Sequence, residues 1–248
     1  MEKLIAQLIR LYLMPALASN DEFAQHFQGQ ATSVALVSGD DLTRAIVIDF
    51  ARDRRGDPDQ HWTNLCAVAN RLQAEYGFPA PAVSITGASS FRLWLSLDEP
   101  VPLGDARRFL SMLRDAHFPN LDLQATTAVE LPPSLNAASG KWAAFIHPGM
   151  GASFTEEAGL EVAPPVAAQV AFLEGLESIG KAEFFDALVS MKQGDAPAPP
   201  PALAAALPAA APASRPGLLL KDATLEDIVR HLHALDIEPT LRHRLPPR

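Results

Sequence analysis

Six short runs of branched and aromatic residues, separated by turn signals and by two amphipathic helices, restrict this chain to an α+β fold. "TSVALVSG" (32–39) and "AIVIDF" (45–50) flank the Gly39-Asp40-Asp41 turn and read as a hairpin. A helix follows, in which Asp57 is expected to cap, with Pro58 in the first turn and Gln60 completing a capping box. Its apolar stripe is Leu65, Val68, Ala69, Leu72 and Tyr76. "PAVSITG" (81–87) and "FRLWLSL" (91–97) are the next strand pair, turned by "GASS". The second helix carries Ala106, Phe109, Leu110 and Leu113 on one side, with Arg107, Arg108 and Arg114 elsewhere. "AVEL" (128–131) and "KWAAFIH" (141–147) are two more strands around a Pro132-Pro133 loop. Strand, strand, helix repeated in this way predicts a mixed or antiparallel sheet with helices on one face.

The rest of the chain is organised around that core. Residues 1–18 predict a helix docked on it, with Leu4, Ile5, Leu8, Ile9 and Tyr12 at helical spacing and Pro15 as its stop. The α+β domain is expected over 19–193, trailing into helices from Val166 to Ile179 and around "AEFFDALVSMK". Residues 194–217 are mostly alanine and proline and read as a linker. Residues 218–248 predict a tethered helix capped at Thr224, with the stripe Leu225, Ile228, Val229, Leu232 and Leu235. A single helix needs something to pack on, so this tail is expected to meet its own domain or a partner.

Net charge narrows the function. At −9 the chain is unsuited to loose, sequence-independent wrapping of nucleic acid. The acids concentrate late, however, and Arg52, Arg54, Arg55, Arg107 and Arg108 leave room for a local basic strip. Cys66 is the only cysteine, which excludes an internal disulfide and a cysteine-built zinc site. With an N-terminal run broken by Gln7 and Arg10, the expectation is a cytoplasmic protein without a membrane partner.

Strand parity then points to a site. Phe91, Leu93, Leu95 and Leu97 share one face of their strand, and Arg92, Trp94 and Ser96 share the other. The same parity puts Ile46, Ile48 and Phe50 together and Asp49 opposite them. Asp49 and Arg92 are therefore expected on one open face, either as a plain cross-strand ion pair or as the floor of a groove in which guanidinium grips phosphate and the Trp94 indole stacks on a base.

"AIVIDF", "ITGASSFRLWLSLDEPVPLGDARRFL" and "AVELPPSLNAASGKWAAFIHPGMGASF" together resemble the primase-polymerase domain of the archaeo-eukaryotic primase superfamily, in particular its stand-alone forms on mobile elements. The resemblance spans roughly residues 20–160 and implies an RRM-like primase core. It further implies acids that hold two divalent metals, a histidine that contacts the incoming nucleotide, and transfer of a nucleotide onto a hydroxyl. Carried onto this sequence, the first acid falls on Asp49 and the third on Glu130, the degenerate catalytic candidates. The second acid falls on Ala51 and the histidine on Arg92, while Leu93 and Trp94 keep the family's "LW". Arg92, Trp94, Ser90 and Lys141 are the implied nucleotide- or nucleic-acid-binding residues, Lys141 from the loop beside Glu130. A permanent cation beside Asp49 can neutralise that carboxylate where a metal would, so no cofactor is expected, and Mg or Mn only if the chain is active. The implied function is a divergent primase-like protein of DNA replication or its control, with weak or no polymerase activity. The implied partners are single-stranded DNA or a nucleotide, and a helicase or replication initiator through 218–248. The alternatives are a non-enzymatic protein-interaction module and an active metal-dependent nucleotidyltransferase that takes its missing acid from Asp53 or another position.

Other motifs carry less. His231 and His233 are two residues apart on a helix and face different ways; His61, His117 and His147 stand alone in sequence. "GMGAS" lacks a third glycine and "GKW" lacks the flanking residues of a phosphate loop.

Overall fold

The computed structural model describes residues 1–14, 33–53 and 55–194. The chain divides into two units, 1–197 and 198–248, and the described residues belong to the first. The stop at Pro15, the tail helix 218–248 with His231 and His233, and all of the linker 194–217 but Gly194 lie outside the described residues.

The protein is α+β. Its strands are β1 (Ser33–Ala35), β2 (Leu42–Ala51), β3 (Ala82–Ile85), β4 (Ser90–Pro102), β5 (Ala128–Glu130), β6 (Ser134–Leu135) and β7 (Trp142–Ile146). The helices are α1 (Glu2–Leu11), α2 (Gln60–Tyr76), α3 (Leu103–His117), α4 (Val166–Glu174) and α5 (Lys181–Gly194), with a 3-10 helix over Pro148–Phe154. Five strands form one antiparallel sheet in the order β2-β4-β3-β7-β6, and β1 pairs with β5 in a separate ribbon.

Two departures from expectation concern the elements nearest the site. The first hairpin is opened: β1 leaves β2 for β5, so that only the Val37–Thr43 bridge of the expected pairing remains. Asp57 does not cap α2. Its Oδ1 accepts the Asp59 amide at 3.0 Å, closing a turn before the helix, and Asp59 is the cap residue, without a side-chain cap bond. The far end of α2 stops where Gly77 enters the left-handed region at φ 67°, conformationally open to glycine. Later in the chain α4 ends at Glu174 rather than at Ile179. The Ile179 backbone is drawn instead onto β4, its amide donating to the Ser96 carbonyl at 2.8 Å and its carbonyl accepting from Asp98 at 3.0 Å.

Both sheet faces carry cores. Ile46, Ile48, Phe91, Leu93, Leu95 and Val83 pack under α2, α3 and α5. On the opposite face Val47, Ala82, Trp94 and Phe145 meet Leu4, Leu8, Leu11 and Tyr12 of the N-terminal segment, together with Val170 and Leu173 of α4. The N-terminal segment and α4 thus form a second apolar layer. Arg10 ties the two helices of that layer, its Nη2 donating to the Leu173 carbonyl at 2.8 Å. Among the described residues no helix is long and apolar enough to cross a membrane.

Gln169 closes the β7 border beside this layer. Its Oε1 accepts the Phe145 amide at 2.8 Å and its Nε2 donates to the Phe145 carbonyl at 2.9 Å, with the side chain buried. Gln169→Leu leaves both backbone groups unsatisfied and is expected to destabilise the protein by about 2–4 kcal/mol, read from its urea midpoint.

Candidate ligand pocket at the Asp49–Arg92 pair

β2 and β4 place Asp49 directly across from Arg92. Arg92 Nε donates to Asp49 Oδ1 at 2.7 Å, and Thr126 Oγ1 donates to the other carboxylate oxygen at 3.0 Å. Both Asp49 oxygens are therefore engaged. Arg92 Nη1 reaches the backbone carbonyl of Glu130 at 3.3 Å, which ties the β1–β5 ribbon to the sheet. The pair is asymmetric in exposure, 40% for the aspartate side chain and 19% for the arginine. Solvent screening of the aspartate makes it a modest contributor to stability.

Two open pockets flank the pair. On the arginine side Thr86, Ser90, Arg92, Glu130, Ser134 and Asn136 line a hollow of about 340 Å³. On the aspartate side Asp49, Asp122, Gln124, Thr126 and Thr127 line one of about 430 Å³. Ser90 stands in the first of these, its Oγ 3.0 Å from Thr86 Oγ1. Glu130 shares that wall, where β5 pairs it with Ser33. Among the described residues no hydrogen bond or ion pair engages the Glu130 carboxylate, and no three His, Cys, Asp or Glu side chains form a metal-binding group.

Two of the implied binding residues stand elsewhere. Trp94 is 1% exposed, packed on Tyr12 and Phe145 at ring separations of 5.0 and 5.4 Å, and its Nε1 donates to Ser84 Oγ at 2.8 Å. It shares a sheet face with Arg92, as parity requires, but α1 covers that face at its level, so the indole is a core residue and not a stacking platform. The Lys141 ammonium is committed to Glu157 and to Glu161, the latter at 3.1 Å. Those carboxylates hold its pKa above the ordinary lysine value. Asp53 closes a local turn by accepting the Arg55 amide at 2.9 Å.

Sequence reasoning missed Thr126, Ser134 and Asn136. Thr126 and Asn136 lie in connecting segments and Ser134 in the two-residue strand β6, all too short or irregular for periodicity to mark a residue. The one available signal was the cluster of small hydroxyl residues on either side of Glu130.

The opposed carboxylate and guanidinium at the mouth of a hydroxyl-lined pocket invite comparison with known proteins. Two solved structures are similar to this chain. The AEP domain of the cyanophage S-2L primase-polymerase matches with a TM-score of 0.39 and 13% identity, over 69% of this chain and 97% of that one. The polymerase domain of Mycobacterium tuberculosis ligase D, solved in complex with DNA, matches with a TM-score of 0.36 and 12% identity, over 65% of this chain and 57% of that one. No family model and no curated protein matches the sequence.

Proposed function

We propose that the pocket beside Arg92 binds the phosphate of a nucleotide or of single-stranded nucleic acid, and that the protein acts as a divergent, mobile-element primase-like binder in DNA replication or its control. The observation that carries this reading is the way Arg92 is held. Nε is anchored by Asp49 and Nη1 by the Glu130 carbonyl, while Nη2 has no partner among the described residues, and Arg92 lines the pocket with Thr86 and Ser90. A guanidinium fixed in this way offers directed donors to an anion with little loss of side-chain entropy.

A two-metal centre does not fit the residues present. The Asp49 oxygens accept from Arg92 and Thr126, and Ala51 offers no carboxylate. The Glu130 carboxylate would stand alone against two divalent ions. We therefore assign binding without nucleotidyl transfer, and read residues 218–248 as the element that meets a helicase or initiator.

Fluorescence anisotropy with a labelled single-stranded oligonucleotide and with a fluorescent nucleoside triphosphate tests the assignment. Arg92→Ala is expected to weaken binding about 10- to 100-fold, the worth of one or two charge-assisted hydrogen bonds. Its melting temperature should stay close to that of the native protein, because the pair it breaks is partly solvated. Equal affinity in the variant would remove this function. Two magnesium ions detected by calorimetry and lost in Asp49→Ala would restore the polymerase alternative.

A further inference from the structure

His61 is buried on the helix side of the sheet, behind the strand that carries Arg92, and nothing among the described residues satisfies it. The residue is 4% exposed, and neither Nδ1 nor Nε2 has a hydrogen-bond partner. Buried polar groups are almost always paired, and an orphaned one destabilises the state that contains it. Its ring packs on Phe91 with centroids 5.0 Å apart, and Trp62 packs on the same phenyl at 5.0 Å. Phe91 is the inward neighbour of Arg92 and pairs with Phe50, the inward neighbour of Asp49. Imidazole, phenyl and indole thus join the first turn of α2 to the strand positions that carry the ion pair. Trp62 in turn presses on Gly151, where a Cβ would lie 2.0 Å from the indole, so the 3-10 helix is seated on the same stack.

The charges around the ring oppose a proton. Arg52, at the end of β2, faces it and is held there by a 2.9 Å bond from its Nη1 to the Glu156 carbonyl. β4 presents the apolar Phe91. Among the described residues Asp59, the cap of α2, is the favourable charge, and the Pro58 carbonyl approaches the ring without hydrogen-bond geometry. His61 also occupies the first turn of a 17-residue helix, whose positive end disfavours a cation. Burial first, and Arg52 second, hold its pKa below the ordinary value of 6.5. A lowered histidine pKa means that stability is full above about pH 6.5 and falls as the pH drops below it.

We infer that His61 is a proton-operated latch: neutral, it clamps the start of α2 and the Gly151 turn onto Phe91, and protonated, it releases them and loosens the strand ends beneath the Asp49–Arg92 pocket. The latch is independent of what the pocket binds. No ligand or cofactor is needed for it, only a proton from solvent.

Two measurements on the full chain test the latch. The His61 ring resonance is expected to titrate below pH 6.5. Amide exchange over residues 60–66, corrected for intrinsic rates, is expected to be at least ten times faster at pH 5.0 than at pH 7.5, while Val83 to Ile85 of β3 stay protected. In His61→Phe the difference between the two pH values should vanish. His61→Gln, uncharged and still polar, should remove it as well and serves if the phenylalanine overpacks. A ring that titrates at or above 6.5 overturns the inference. So does an acid-induced opening that survives in either variant.

Discussion

Replacing Leu8 by alanine is expected to lower stability by about 2–5 kcal/mol, and removing residues 1–14 to leave the rest of the chain unfolded at room temperature. Leu4, Leu8, Leu11 and Leu13 are fully buried and Tyr12 nearly so, all against the face of the sheet that bears Trp94 and Phe145. At about 1.5–3 kcal/mol for each large apolar side chain removed from water, the segment accounts for roughly 10 kcal/mol. A domain of this kind has about 5–15 kcal/mol in all. Truncation also uncovers the Trp94 indole and the buried Ser96, whose Oγ donates to the Leu11 carbonyl at 2.6 Å. Circular dichroism through a thermal ramp measures both changes. A truncated protein that melts with native cooperativity would mean that α1 is a lid over a free-standing sheet. The burial argues against that, since a lid has to lift at a cost of a few kcal/mol.

Gly87→Ala is the second large effect, with an expected loss of about 2–5 kcal/mol. Gly87 turns β3 into β4 at φ 70°, where a Cβ adds about 1–2 kcal/mol of backbone strain. That Cβ would also sit 2.6 Å from the Lys141 carbonyl oxygen and 3.2 Å from the Ala143 amide nitrogen. Both are backbone atoms at the start of β7, so relief requires moving a strand, which adds a further 1–3 kcal/mol or so. The Gly87 amide donates to the Ala158 carbonyl at 2.7 Å and its carbonyl accepts from Ser139 Oγ. A shift here therefore spreads into the Thr86 and Asn136 wall of the pocket. Gly39→Ala is the control, with nothing within 4 Å of its Cβ position, and should stay within about 0.5 kcal/mol of the native protein. Guanidinium denaturation of the two variants side by side separates strain from a general intolerance of glycine loss.

Alternation made part of the site legible in the sequence. Asp49 and Arg92 face each other because period-two parity and a single antiparallel register require it, and both were visible in "AIVIDF" and "FRLWLSL". What alternation could not give was the cover over each face. Trp94 has the same parity as Arg92, yet one is core and the other rims a pocket. The difference is made by α1, which lies more than eighty residues away in sequence and reaches only the Trp94 end of the strand. The opened first hairpin has the same origin. The Gly39-Asp40-Asp41 turn forms, with Asp41 at φ 57°, but β5 competes successfully for β1, and that pairing is non-local. Sequence order puts Lys141 beside Glu130 through the loop between them, whereas the acids that hold it come from the 157–161 segment. The capping pattern points to Asp57, while the helix begins three residues later behind its cap Asp59, a displacement within the usual spread of helix ends.

The glutamine that pairs with Phe145 has one more effect. β6 covers only Ala143 and Trp142 of β7, so without Gln169 the next peptide unit would present an unpaired amide and carbonyl for a foreign strand to recruit. One primary amide imitates a neighbouring peptide there, and once folded the protein offers no template at that border from which intermolecular β-structure could grow.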